Sequence, residues 1–121
     1  MEFTVQQFLQ MESAAGSQLL TAQRSAAQRV IRSISVMEGP VEDFVRQDEL
    51  VLTIAAELWG YPERFLAFTR QIRDAGAAAL AISMKGQGQE LPPCVFQFCL
   101  EQGFPLILVP WERRFSEIIE E

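Results

Sequence analysis

The sequence predicts an α/β domain built on a mainly parallel central sheet, and three observations predict it. First, Asp48–Ser83 reads as strand, helix, strand. Leu50-Val51-Leu52-Thr53-Ile54 is a short apolar run rich in branched side chains, Tyr61–Ala75 carries a helical pattern that stops at Gly76, and Ala78–Ile82 is apolar again. Two buried strands joined by one helix form a crossover unit, the connection that parallel pairing requires. Second, the unit has an echo: Ile72-Arg73-Asp74-Ala75-Gly76 and Cys99-Leu100-Glu101-Gln102-Gly103 each place an acid two residues before a glycine, and an apolar strand follows each. Glycine there supplies a left-handed cap that ends the helix. Third, the apolar runs are continuous, which marks strands covered on both faces. The expected architecture is a compact layered domain with strands near residues 31–36, 49–54, 78–83 and 105–109, flanked by helices.

The remaining elements follow in chain order. Thr4 is a good N-cap with Gln7 three residues on, which fits a capping box, and Val5, Phe8 and Leu9 share a face. A short first helix is expected over 5–12, ended by Ser13-Ala14-Ala15-Gly16-Ser17. Leu19–Ala22 is read as a short strand, with Gln23–Ala27 as the turn of a hairpin. The next strand, around Ile31–Val36, places Arg32 in phase with Val30, Ile34 and Val36. That fits an edge strand whose arginine reaches water, or an arginine that meets an anion or a partner. Val41, Phe44 and Val45 suggest one helical turn. Trp59 and Tyr61, past the first strand of the central unit, either line a pocket or cover the end of the sheet. Pro62 suits a first helical turn, and Phe65, Phe68, Ile72 and Ala75 make one apolar face opposite Glu63, Arg64, Arg70, Arg73 and Asp74. Gly86-Gln87-Gly88 reads as a flexible loop, since it lacks both the third glycine and the lysine position of phosphate-binding loops. Phe115, Ile118 and Ile119 begin a last, acidic helix; its uncapped end suggests a chain that continues.

Composition narrows the chemistry. The chain has 121 residues, 49% of them apolar, enough for one domain with a sizeable core. No run approaches the roughly 18–20 apolar residues of a membrane span, and the start lacks the features of a signal peptide, so a cytoplasmic protein without membrane contact is expected. The net charge is −6, and the basic residues are scattered, so the domain is a poor nucleic-acid binder on its own. Histidine is absent, which removes the commonest general base and zinc ligand. Cys94 and Cys99 stand about 140° apart around a helix, which argues against a metal clip or a disulfide and for two buried thiols. No motif points to a cofactor.

Five stretches, Phe3–Leu9, Ile31–Glu38, Asp48–Thr53, Asp74–Ile82 and Gly103–Glu112, stand in a telling order, with Phe115 and Ile118 following. Their order and spacing resemble the N-terminal domain of the purine catabolism regulator-like (PucR) family of bacterial transcription regulators. Two departures flank the third stretch. Gln47-Asp48 stands where the family usually has Gly-Gly, and Thr53-Ile54-Ala55 where it often has Thr-Thr-Gly. The resemblance implies that residues 1–121 form a single N-terminal regulatory domain. It also implies that DNA is contacted only through a C-terminal helix-turn-helix region absent from this chain.

Three functions are weighed. The first is a regulatory domain that senses a small effector, a purine-related metabolite if the resemblance extends that far. Its candidate contacts are Glu38, Thr53, Lys85 and Trp111, each at or just past the carboxyl end of an expected strand, together with Arg32. The second is an interaction module, forming a homo-oligomer or docking on a partner domain through Phe44, Trp59, Trp111 and Phe115. The third, an enzyme using Glu38, Glu49, Glu57 or Glu112 for acid–base work, has no catalytic motif behind it.

Overall fold

The computed structural model describes residues 3–37, 45–85 and 89–120. The sheet has five strands: β1 (Gln18–Leu19), β2 (Ser33–Val36), β3 (Glu49–Thr53), β4 (Ala79–Met84) and β5 (Leu106–Pro110). Their order is β1-β5-β4-β3-β2. The last four run parallel and in sequence order; β1 pairs antiparallel with β5. The expected strands are therefore present, shifted by one or two residues at their ends.

The helices are α1 (Val5–Leu9), α2 (Pro62–Asp74), α3 (Pro93–Gln102) and α4 (Phe115–Glu120). The capping box at α1 forms: the Gln7 N–H donates to Thr4 Oγ1 at 3.3 Å, and the Thr4 N–H donates to Gln7 Oε1 at 2.9 Å. The helix stops at Leu9, shorter than expected, and a 3-10 turn over Glu12–Ala14 takes up its tail. Pro62 opens α2 as read. Gly76 and Gly103 close α2 and α3 with φ of +93° and +63°, so the echo in the sequence is an echo in the backbone.

The hairpin expected between residues 19 and 36 does not form. Gln23–Ser25 is a 3-10 turn, and β1 pairs instead with β5, Gln18 opposite Leu108 and Leu19 opposite Ile107. Thr21 explains the preference. Its buried hydroxyl donates to the Phe104 carbonyl at 2.5 Å and accepts from the Leu106 N–H at 2.9 Å, fastening the segment to the start of β5. The helical turn expected over Val41–Val45 and the Gly86-Gln87-Gly88 loop fall mostly or wholly outside the described residues.

Each sheet face has its own core. Leu50, Leu52, Ala79, Ala81, Ile107 and Val109 pack with Val5 and Phe8 of α1 and Ile118 of α4. Val51, Leu80, Ile82 and Leu106 pack with Phe65, Phe68 and Ile72 of α2 and Val95 and Cys99 of α3. Both crossover helices thus lie on one face, as right-handed crossovers between strands taken in sequence order require. β3 is buried at all five positions, which is why its sequence does not alternate. β2 is an edge strand, as the phase of Arg32 suggested.

Candidate functional site

The carboxyl ends of the parallel strands gather part of the predicted set. Met84 pairs with Pro110 in register, so the next residues, Lys85 and Trp111, leave the sheet side by side. The Lys85 ammonium lies 4.7 Å from the centroid of the Trp111 ring, a cation–π contact worth about 0.5–1 kcal/mol at an exposed site. The Lys85 N–H donates to Gln89 Oε1 at 2.8 Å, which orders the backbone beneath the pair. Trp111 keeps 42% of its surface exposed. An exposed aromatic ring beside an ammonium group is chemically suited to a planar or anionic ring.

Thr53 ends the neighbouring strand but turns inward. It is fully buried, and its Oγ1 accepts from the Ala55 N–H at 3.0 Å. Ala55 in turn has φ of +54° and is buried. The turn it forms carries Trp59, whose indole N–H donates to the Ile54 carbonyl at 3.0 Å and whose ring meets Phe65 edge-on at 5.2 Å. Of the two roles open to Trp59, covering the end of the sheet is the one its contacts match. Tyr61 is exposed, with the Arg64 guanidinium 4.9 Å from its ring centroid.

Arg32 is at the opposite end. It precedes β2, is 67% exposed, and pairs with Asp48, which precedes β3, at 3.0 Å. The fold therefore brings Lys85 and Trp111 together, buries Thr53 at the end of the neighbouring β3, and holds Arg32 at the amino edge. Glu38 lies outside the described residues.

Several polar residues hold the frame: Glu49, weighed in the sequence only as a possible acid–base carboxylate, and Arg29 and Arg113, which the sequence did not single out. Glu49 is buried, and its carboxylate accepts from Ser33 Oγ at 3.1 Å, Ser35 Oγ at 2.9 Å and the Arg46 N–H at 3.4 Å. Alternation of Ser33 and Ser35 with Ile34 and Val36 was the available signal, legible only once β2 is known to pair with β3. Arg29 donates through Nε and a terminal nitrogen to the carbonyls of Ala78 and Ala77, both at 3.1 Å. Arg113 donates to the Ala15 carbonyl at 2.9 Å.

Among the described residues the candidate carboxylates stand apart. Glu49 is tied to its serines at the start of β3, while Glu57 and Glu112 are exposed in separate turns. Among the described residues no three His, Cys, Asp or Glu side chains cluster as metal ligands. Both cysteines are free thiols; Cys94 is half-buried and Cys99 buried. Burial pushes the Cys99 thiol up from 9.0 to about 12, so it stays protonated and unreactive near neutrality. Among the described residues no helix is long and apolar enough to cross a membrane.

Fold and site together describe a mainly parallel α/β domain whose buried polar groups serve the frame and whose carboxyl edge presents an aromatic–cation pair. The sequence profile of the purine catabolism regulatory protein-like (PucR) family matches residues 7–121, and the chain belongs to that family, one of regulators and not of enzymes. The purine catabolism regulatory protein of Bacillus subtilis (strain 168) is 27% identical over 101 residues, covering 83% of this chain and 19% of that protein. The chain thus spans less than a fifth of the length of the curated relative it matches. No solved structure matches it.

Proposed function

We propose that this chain is the effector-sensing part of a cytoplasmic transcription regulator of purine or related nitrogen catabolism. It binds a small purine-related metabolite at the carboxyl edge of its sheet and relays the bound state to a DNA-binding helix-turn-helix region outside this chain. Family membership supports the regulatory role, and the name of the Bacillus relative supports the choice of metabolite class. The observation that carries the site is the Lys85–Trp111 pair: one ring face to stack on, and one cation free to trade its π contact for an anionic group.

Chain connectivity supports the relay. Three residues separate Trp111 from α4, and Arg113 ties that turn to the Ala15 carbonyl while its N–H donates to the Pro110 carbonyl at 3.0 Å. Ile118 seats α4 in the core. A ligand that favours one setting of the 111–114 turn shifts the equilibrium of α4, and with it whatever α4 is attached to.

Isothermal titration of the chain with purines, their oxidised catabolites and ureides tests this. The expected result is heat with at least one member, and affinity reduced at least tenfold in both Lys85→Ala and Trp111→Ala. Absence of binding across the panel, or binding indifferent to both substitutions, overturns it.

A further inference from the structure

The buried threonines of the chain all spend their hydroxyls on the frame. Thr21 bonds the Phe104 carbonyl and the Leu106 N–H, Thr53 accepts from the Ala55 N–H, and Thr69 donates to the Phe65 carbonyl at 2.9 Å. Ser83 does not. It is 3% exposed, and among the described residues its hydroxyl has no hydrogen-bond partner. Unlike the unpaired Oγ of Ser17, its oxygen is not sealed from solvent. A polar group withdrawn into the interior and left unpaired lowers stability, so its presence asks for a reason other than stability. Alanine suits this face of β4, as Ala79 and Ala81 show, and a serine follows them.

The place of Ser83 supplies the reason. Side chains alternate along a strand, so Ser83 shares the face of Ala81. Its partner in register is Val109, which packs on that same face with α1 and α4. Two residues further along each strand, about 6.6 Å on, the alternation leads to Lys85 and Trp111. The serine therefore lies one step inside the carboxyl edge, beneath the cation–π pair. α4 belongs to this face too. It packs against β2 on one side and against the 3-10 turn Glu12–Ala14 on the other, and Arg113 holds the end of that turn beside β5. Between those two supports, α4 crosses the ends of β4 and β3.

We propose that Ser83 is a specificity-determining contact for the effector, an inference that rests on the site read at Lys85 and Trp111. A flat ring lying on Trp111, its charge against Lys85, turns one edge toward the sheet, and the Ser83 hydroxyl bonds that edge. A hydroxyl both donates and accepts, so it matches a ring carbonyl or a ring N–H and discriminates against a plain C–H. The contact also places the effector on the face that α4 crosses, where a bound molecule and the helix that relays it are neighbours.

Isothermal titration of the 121-residue chain with urate, xanthine and unsubstituted purine tests the inference, alongside thermal unfolding without ligand. Urate and xanthine carry carbonyl and N–H groups at ring positions where purine has C–H. Heat is expected with at least one of the two oxidised purines, and at least tenfold weaker heat-detected binding with purine. Ser83→Ala and the similarly sized Ser83→Cys are each expected to weaken the oxidised purine at least tenfold, while the thermal midpoint of Ser83→Ala stays level or rises. That opposition separates a ligand contact from a structural serine, whose removal lowers the midpoint. A lowered midpoint in Ser83→Ala overturns the inference, as does an affinity that neither variant changes. Binding lost in Lys85→Ala and Trp111→Ala but kept in both Ser83 variants removes this contact and leaves the effector site standing. No heat with any of the three probes removes the contact and its site together.

Discussion

At the scale of single residues, the left-handed backbone positions are the most telling. Asp48 and Ala55 bracket β3 with φ of +61° and +54°, and they fall where the resembling family pattern has glycines. The turns have kept a glycine-like backbone with a side chain installed, at a cost of roughly 1–2 kcal/mol each for a residue with Cβ. The compensations differ. Asp48 tolerates the region better than most residues and gains the exposed Arg32 pair, worth about 0.3 kcal/mol. Ala55 buries its methyl in the core, worth about 0.8 kcal/mol. Asp48→Gly is therefore expected to stabilise the fold by about 0.5 kcal/mol, Ala55→Gly to be near neutral, and Ala55→Val to cost more than about 2 kcal/mol, since a branched Cβ is least tolerated there. Urea denaturation midpoints at constant slope would check the series. Cys99 gives a pH test. Its thiol is at about 12 in the fold against an ordinary 9.0, so the unfolded chain sheds this proton first. The contribution is complete below pH 9 and is lost progressively as pH rises from 9 towards 12. Stability of Cys99→Ala should be lower at neutral pH, because of the cavity, yet fall less steeply over that window.

At the scale of elements, legibility tracked how local the determining interaction is. The unit β3–α2–β4–α3–β5 was readable because its strands are buried on both faces and its helices end at Gly76 and Gly103. The pairing of β1 was not, although a short strand was expected there: it depends on Thr21 reaching residues more than eighty positions away. The placement of the candidate site residues was legible in part for the same reason. Position past a strand end located Lys85 and Trp111, and their contact follows from register. The inward turn of Thr53 depends on Ala55, and the burial of Glu49 depends on the serines of a neighbouring strand; neither is written in local sequence. The two glycine stops also make a graded test. A Cβ at Gly103 meets nothing within 4 Å and φ of +63° lies in the left-handed well, so Gly103→Ala should cost only about 1 kcal/mol. At Gly76 φ is +93°, beyond that well, and a Cβ would strike the Gln47 carboxamide. Gly76→Ala should cost more, and Gln47→Ala in that background should recover only the steric part. Thermal unfolding of the three variants would separate backbone strain from collision.

At the scale of the whole molecule, the sheet is asymmetric in what secures its edges. The centre, β3 and β4, is covered on both sides by helices or packed turns. The β1 edge consists of two residues held to β5 by a short antiparallel ladder and by the Thr21 hydroxyl. Through that edge the N-terminal segment reaches the carboxyl end of β5, where Arg113 binds the Ala15 carbonyl and the 111–114 turn leads into α4. Loosening β1 should therefore be felt at the turn proposed to relay the effector, and not in the central strands. Thr21→Val keeps the shape but removes both hydrogen bonds, leaving the Leu106 N–H and the Phe104 carbonyl unpaired in the interior at a cost of about 1–3 kcal/mol. Local opening is drawn from the least secured units of a fold. Hydrogen exchange in Thr21→Val is accordingly expected to accelerate first at residues 18–22, at Leu106 and at 111–118, with the amides of β3 and β4 still the slowest. Uniform acceleration through β3 and β4 would mean that the edge and the centre open as one unit, and would remove the structural basis for a relay confined to the turn before α4.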